Sequence, residues 1–157
     1  MPKKDKKEIQ IENHIRKIIN ENIVKKYPHL VILENKDVFD ILLCDNGDSP
    51  KIFFIEVKHY SSKNSRIGFG DKYGKGYQTE ILQKRPAFFE NNLIWVFQKE
   101  DDNKYYVLRN EDCLKYISGN SIGIKQNNFQ LSIFDNVVPL SENDFLQHIE
   151  KWITGKK

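Results

Sequence analysis

The sequence predicts a single α/β domain: a central mixed sheet of four to five strands flanked by helices, laid out along the chain as helix, three strands, helix and strand (αβββαβ). Three observations lead there. Ile11, Ile15, Ile18, Ile19 and Ile23 recur at the 3.6-residue period of an amphipathic helix. Ile41-Leu-Leu43 and Phe53-Phe-Ile55 are apolar runs that hardly alternate, as strands do when both faces of their sheet are covered. A further apolar run, Leu93-Ile-Trp-Val-Phe97, follows a stretch with a helical pattern. A chain of 157 residues fits one domain with a core that needs no covalent staples. Residues 1–7, with Lys3, Lys4, Lys6 and Lys7, form a basic arm, residues 8–98 the core, and residues 99–157 a C-terminal extension.

Taken in order, the first helix spans about residues 8–26 and ends at Tyr27-Pro28, because the residue before a proline avoids the helical region. A short strand, residues 30–33, and the polar turn 34–37 lead to a second strand at 38–44. The segment 45–48 contains Asn46-Gly47, a pair favoured in tight hairpin turns, so the third strand, 51–60, should pair antiparallel with the second. Residues 61–76 are too polar for core and too long for a plain connection, which marks a functional loop. A helix at about 77–85, interrupted by Pro86, precedes a fourth strand at 92–98. Beyond it the pattern gives an edge strand at 105–108, a short helix at 112–117 and an irregular or strand-like stretch at 121–134. Ser141 then opens a last helix that presents Phe145, Ile149, Trp152 and Ile153.

Composition excludes several classes. Cys44 and Cys113 lack metal-ligand spacing, which argues against zinc and for free thiols in a reducing, cytoplasmic compartment. No apolar run reaches membrane-spanning length, and the basic N-terminus is followed by no apolar signal region, so the chain is expected to be intracellular with no membrane partner. The formal net charge is +3, yet residues 51–85 alone hold eight Lys/Arg against three Asp/Glu. Basic charge is therefore concentrated there, as it would be beside a polyanion. Within it Arg66, Lys72, Tyr73, Lys75, Tyr77, Lys84 and Arg85 set cations and aromatic rings on a glycine-rich backbone, a combination suited to nucleic-acid contact.

The third strand carries an anomaly. Side chains alternate across a strand, so Glu56 and Lys58 share one face with Phe54, while Ile55, Val57 and His59 take the other. An acid and a base inside an apolar strand must be paired, hydrated or bound to something. A structural salt bridge at a strand end is one answer. Asp40, at the start of the second strand, offers another: if the hairpin forms, Asp40 lies near Glu56 and Lys58 where the two strands flare. Two carboxylates and the backbone carbonyl of Val57 suit a hard, oxygen-seeking ion such as Mg²⁺, with Mn²⁺ able to substitute. Such an ion would polarise a phosphoryl oxygen and lower the pKa of a water, with Lys58 orienting that water, which implies phosphodiester hydrolysis. Asp37 is a second-ranked first acid, placed in the turn. Glu12 lies at the margin of the isoleucine face of the first helix and Glu8 one turn earlier; either can look inward, or Glu12 can pair at the surface with Arg16.

Asp40, fifteen intervening residues and then Glu56-Val-Lys58 resemble the PD-(D/E)xK, or restriction-endonuclease-like, nuclease superfamily. The order of elements over residues 8–98 is similar to that superfamily's common core. Residue 39 is Phe, so the signature's proline is missing while the metal-binding positions are kept. The resemblance implies metal ligation by Asp40 and Glu56, assistance to the nucleophile by Lys58, and, as in some members, added roles for a first-helix glutamate (Glu12, or Glu8) and for Gln78. It further implies a Mg²⁺-dependent DNA endonuclease, a homodimer most like a small type II restriction enzyme. A Holliday-junction resolvase and a catalytically inactive DNA-binding module are the alternatives.

Overall fold

The computed structural model describes residues 6–33, 39–61, 67–68, 84, 87–100, 102–118, 128–129 and 131–155. Helix α1 (Lys6–Asn22) runs into a 3-10 turn at Val24–Lys26, and β1 (Leu30–Leu33), β2 (Ile41–Asp45) and β3 (Lys51–Tyr60) follow. After β4 (Ile67–Gly68) come α2 (Ala87–Asn92), β5 (Leu93–Lys99), β6 (Lys104–Arg109), α3 (Asn110–Cys113) and a 3-10 turn at Leu114–Tyr116. The chain closes with β7 (Ile117–Ser118), β8 (Asn128–Phe129), α4 (Ile133–Asn136) and α5 (Glu142–Thr154). No described helix is long and apolar enough to cross a membrane.

The predicted α/β class holds. Five strands form one mixed sheet in the order β1-β2-β3-β5-β6, and only the β3–β5 pair is parallel. Both faces are covered, which is why the strands read as nearly continuous apolar runs. On one face Ile15, Ile18 and Ile19 of α1, Ile23 just after it, and Phe145, Ile149 and Ile153 of α5 pack on Ile41, Ile55, Val57, Ile94 and Val96. On the other Trp95, Phe97, Leu93, Tyr106, Cys113 and Ile133 form a second cluster. β5 shows how one strand serves both: Ile94 and Val96 enter the first cluster, Leu93, Trp95 and Phe97 the second. Each such side chain taken wholly out of water contributes roughly 1.5–3 kcal/mol. Asn110, fully buried, accepts a hydrogen bond from Trp95 Nε1 (3.0 Å) and donates to Glu90 Oε1 (2.8 Å), which ties α2 and α3 to β5 without an unpaired polar group at that point.

Several expectations are corrected in detail. β2 begins at Ile41 and not at residue 38; Asp40 lies just outside the strand in a bend, and residues 34–38, Asp37 among them, fall outside the described residues. The β2–β3 connection is longer than a two-residue turn, since Asp45 pairs with Lys51 and neither Asn46 nor Gly47 has positive φ. The Asp45 side chain decides this by accepting the Gly47 N–H at 2.9 Å, a local bond that competes with the tight turn. The short helix expected at 112–117 starts at Asn110, and Phe134, expected to be irregular or strand-like, is helical. The polar segment 61–76 is not wholly loop: Ile67–Gly68 pairs with Asn128–Phe129 in a second sheet of order β4-β8-β7. The last helix forms as its cap signal dictates, with Ser141 Oγ accepting from Asp144 N–H and Gly155 closing it at φ 69°.

The two thiols are free and differ in access. Cys113 is wholly buried, and burial, reinforced by Asp112 and Glu90, pushes its thiol well above the ordinary range. A thiol reagent is expected to modify half-buried Cys44 in the native protein and Cys113 slower by a factor of about 10³ or more, in proportion to the unfolded fraction. Comparable labelling of both by peptide mass mapping would contradict the packing of α3.

Candidate metal centre at the open end of the hairpin

The site arises where β2 stops and β3 continues. Ile41 opposite Ile55 is the last β2–β3 pair, so residues 56–60 of β3 run on beside β5 with no β2 neighbour. The ladder bond that Val57 N–H would give to a longer β2 goes instead to Asp40 Oδ2, at 2.7 Å and buried. The N–H and C=O of a strand residue project to the same side, so the Val57 carbonyl also faces this gap. Phe39 anchors the preceding residue: it is buried in the second cluster, its ring 4.8 Å from Phe54 and 5.5 Å from Phe89 between centroids. Aromatic packing thus fixes the approach to Asp40 where a proline would fix it through φ.

The first helix supplies the rest. Glu8, Glu12 and Arg16 follow one another at four-residue intervals and form a stripe on α1. Glu8, Glu12 and Asp40 each place a carboxylate oxygen within 4.8 Å of the other two, with Glu12 and Asp40 buried and Glu8 half-buried. Both Glu8 and Glu12 are thus brought near Asp40. Arg16 donates through a guanidinium nitrogen to the Asp40 backbone carbonyl.

Glu56 and Lys58 lie on the face of β3 away from α1, opposite Trp95 and Phe97 in the parallel register. They are 4 % and 7 % exposed, and Lys58 Nζ stands 3.6 Å from Glu56 Oε1. Among the described residues, Glu56 is not part of the group of carboxylates that meet within 4.8 Å. The α1 acids approach from one face, Glu56 and Lys58 belong to the other, and Asp40 is bound to the backbone of Val57 between them.

Three carboxylates this close repel one another by roughly 3 kcal/mol per fully charged pair at an effective dielectric of about 20. An arrangement of that kind is relieved by a cation. The donor set is all oxygen and mostly buried, and among the described residues the cluster includes no thiol or imidazole, a set compatible with a hard metal ion.

Of the other residues singled out from the sequence, Lys84 is helical and exposed. Arg66, Lys72, Tyr73, Lys75, Tyr77, Gln78 and Arg85 lie outside the described residues. Sequence reasoning weighed Arg16 only as a surface partner for Glu12. Its spacing of four and eight residues from two acids was a signal, but a contact to a carbonyl in another segment leaves no trace in sequence.

The fold and this geometry together define an α/β protein whose mixed sheet carries a buried carboxylate cluster at the open end of a hairpin. No protein-family model matches the sequence, and no curated protein matches it. Among solved structures the chain is similar to D212, a nuclease from a fusselovirus, with a TM-score of 0.54 and 10% sequence identity, over 100% of this chain and 98% of that one. At that identity the likeness is one of fold, extending from end to end of both chains.

Proposed function

We propose that this protein is a metal-dependent DNA endonuclease of the PD-(D/E)xK kind, a phosphodiester hydrolase using Mg²⁺, with Mn²⁺ as a substitute. The observation that carries the reading is the convergence of the Glu8, Glu12 and Asp40 carboxylates, with Asp40 bonded to the Val57 N–H between Glu56 and Lys58 in the chain. The end-to-end likeness of fold to a viral nuclease supports it. Asp40, Glu56 and the Val57 carbonyl would hold the ion, joined by Glu12 and Glu8. When bound, the ion supplies Lewis acidity toward a phosphoryl oxygen and lowers the pKa of a water. Lys58, held by Glu56, orients the attacking water and offsets negative charge as the phosphate becomes five-coordinate. By the same resemblance Gln78 would join the site.

Within this reading the enzyme is a homodimeric, cytoplasmic restriction-type nuclease. The local basic charge of residues 51–85 and the aromatic, glycine-rich segment within it support a nucleic-acid backbone as substrate, gripped by Arg66, Lys72, Tyr73, Lys75, Tyr77, Lys84 and Arg85. The experiment is incubation with supercoiled plasmid, linear duplex and a four-way junction in Mg²⁺ or EDTA, followed by sequencing of the ends. Discrete plasmid fragments in Mg²⁺ alone are expected. Preferential cutting of the junction would replace the restriction-type form by a resolvase, and binding without cutting in any metal would leave a DNA-binding module. For the basic segment, replacing Lys72, Lys75 or Arg85 by Ala should each lower the slope of log K against log salt by about 0.9, one phosphate contact apiece. Unchanged slopes would remove those residues from the interface.

A further inference from the structure

Arg16 shares a stripe of α1 with Glu8 and Glu12, yet among the described residues its guanidinium does not bond a carboxylate one turn away. It reaches across from α1 to the backbone carbonyl of Asp40, a partly buried bond between residues 24 apart in sequence, and a second nitrogen lies 3.4 Å from Asn13 Oδ1. Asp40 has no strand to hold it, since β2 starts one residue later and Asp40 occupies a bend. Two bonds help to fix its conformation. The carboxylate is held by Val57 N–H and the carbonyl by Arg16. The same helix that carries Arg16 carries Glu8 and Glu12, two turns and one turn before it on one stripe. A bond from Arg16 to residue 40 therefore sets the distance between the α1 acids and the Asp40 acid, working against their mutual repulsion.

We propose that Arg16 is a positioning residue for the divalent-cation centre: it clamps the bend at Asp40 to α1, so that acids from two separate segments keep one metal-ready arrangement. This rests on the metal-dependent reading given above. The clamp uses backbone, so it is indifferent to the charge state of the carboxylates, and a flexible ammonium at position 16 would reproduce its charge but not its forked, planar reach.

The test is Mn²⁺ binding by calorimetric titration of the full chain, which reads the centre without any need for cleavage. Groups that orient metal ligands change affinity by about 10- to 100-fold when removed. Arg16→Met is accordingly expected to raise the Mn²⁺ Kd at least about tenfold, with Arg16→Lys in between. Ile18→Val, a core change on the same helix, controls for loss of stability and should leave Kd unchanged while lowering Tm. Wild-type affinity in Arg16→Met, or equal weakening in Ile18→Val, overturns the proposal. Weakened Mn²⁺ binding in Arg16→Met together with a wild-type protein that binds Mn²⁺ but cuts no DNA upholds the positioning role and refutes the nuclease reading instead. A wild-type protein that binds no Mn²⁺ at millimolar concentration overturns both.

Discussion

Asp40→Asn is expected to lower Mg²⁺-dependent cleavage by about 10³-fold while leaving the fold intact. The amide keeps an oxygen to accept the Val57 N–H, so the bond that positions residue 40 survives the exchange. What disappears is one negative charge from a cluster of three carboxylates within 4.8 Å of one another. Removing it relieves repulsion in the metal-free protein, so Tm in EDTA should stay the same or rise. The gain in Tm on adding Mg²⁺, which follows from binding to the native state alone, should fall. Plasmid cleavage and thermal unfolding, each with and without Mg²⁺, measure both halves. Cleavage at the wild-type rate in Asp40→Asn would end the catalytic assignment. Lost cleavage with a Mg²⁺-induced rise in Tm equal to wild type would place Asp40 outside the metal shell. A stability gained by removing an acid and an activity lost with it are the signature of a site kept under electrostatic load.

The second large effect concerns the pair on the other face of β3. Glu56→Leu is expected to destabilise the protein by about 3–5 kcal/mol, because it leaves the Lys58 ammonium buried without its carboxylate. Lys58→Met should cost less, since Glu56 keeps other interactions. The double variant Glu56→Leu/Lys58→Met should recover most of the loss, because two apolar side chains beside Trp95 and Phe97 desolvate nothing. Urea unfolding of the four proteins gives the coupling energy directly. Additive losses would mean that Glu56 and Lys58 are each satisfied elsewhere and that the 3.6 Å contact is incidental. Cleavage should be abolished in all three variants, stable or not, which separates the chemical role of the pair from its structural one.

Much of this arrangement was legible in the sequence, for reasons that differ from element to element. The helical period of Ile15, Ile18, Ile19 and Ile23 and the non-alternating runs of β3 and β5 gave the layers, because burial on one or both faces imposes a period on the chain. Glu56 and Lys58 stood out as charges inside such a run, and both are buried. The start of β2 was less well placed. Val38-Phe39 continues the apolar pattern of Ile41-Leu-Leu43, but Phe39 is drawn into an aromatic cluster with Phe54 and Phe89, and the chain bends at Asp40. The small sheet formed by β4, β7 and β8 was missed. Its strands are two residues each, and its pairings, such as Ile67 with Phe129, join positions far apart in the chain with no periodic signal in either.

The sequence by itself determined the class of fold, the strand that bears an acid and a base, and the acidic residues Glu8, Glu12 and Asp40 as candidates to meet beside it. Those are properties of local pattern and residue type, which pairing and burial act on directly. Only the tertiary structure decided that Glu8 and Glu12 both join Asp40, that Asp40 is held by the Val57 N–H, and that Arg16 turns from its helical neighbours to the carbonyl of residue 40. Each of those depends on how far β2 extends along β3 and on the angle at which α1 crosses them. These are set by the packing of the isoleucine face as a whole, so no single residue announces them.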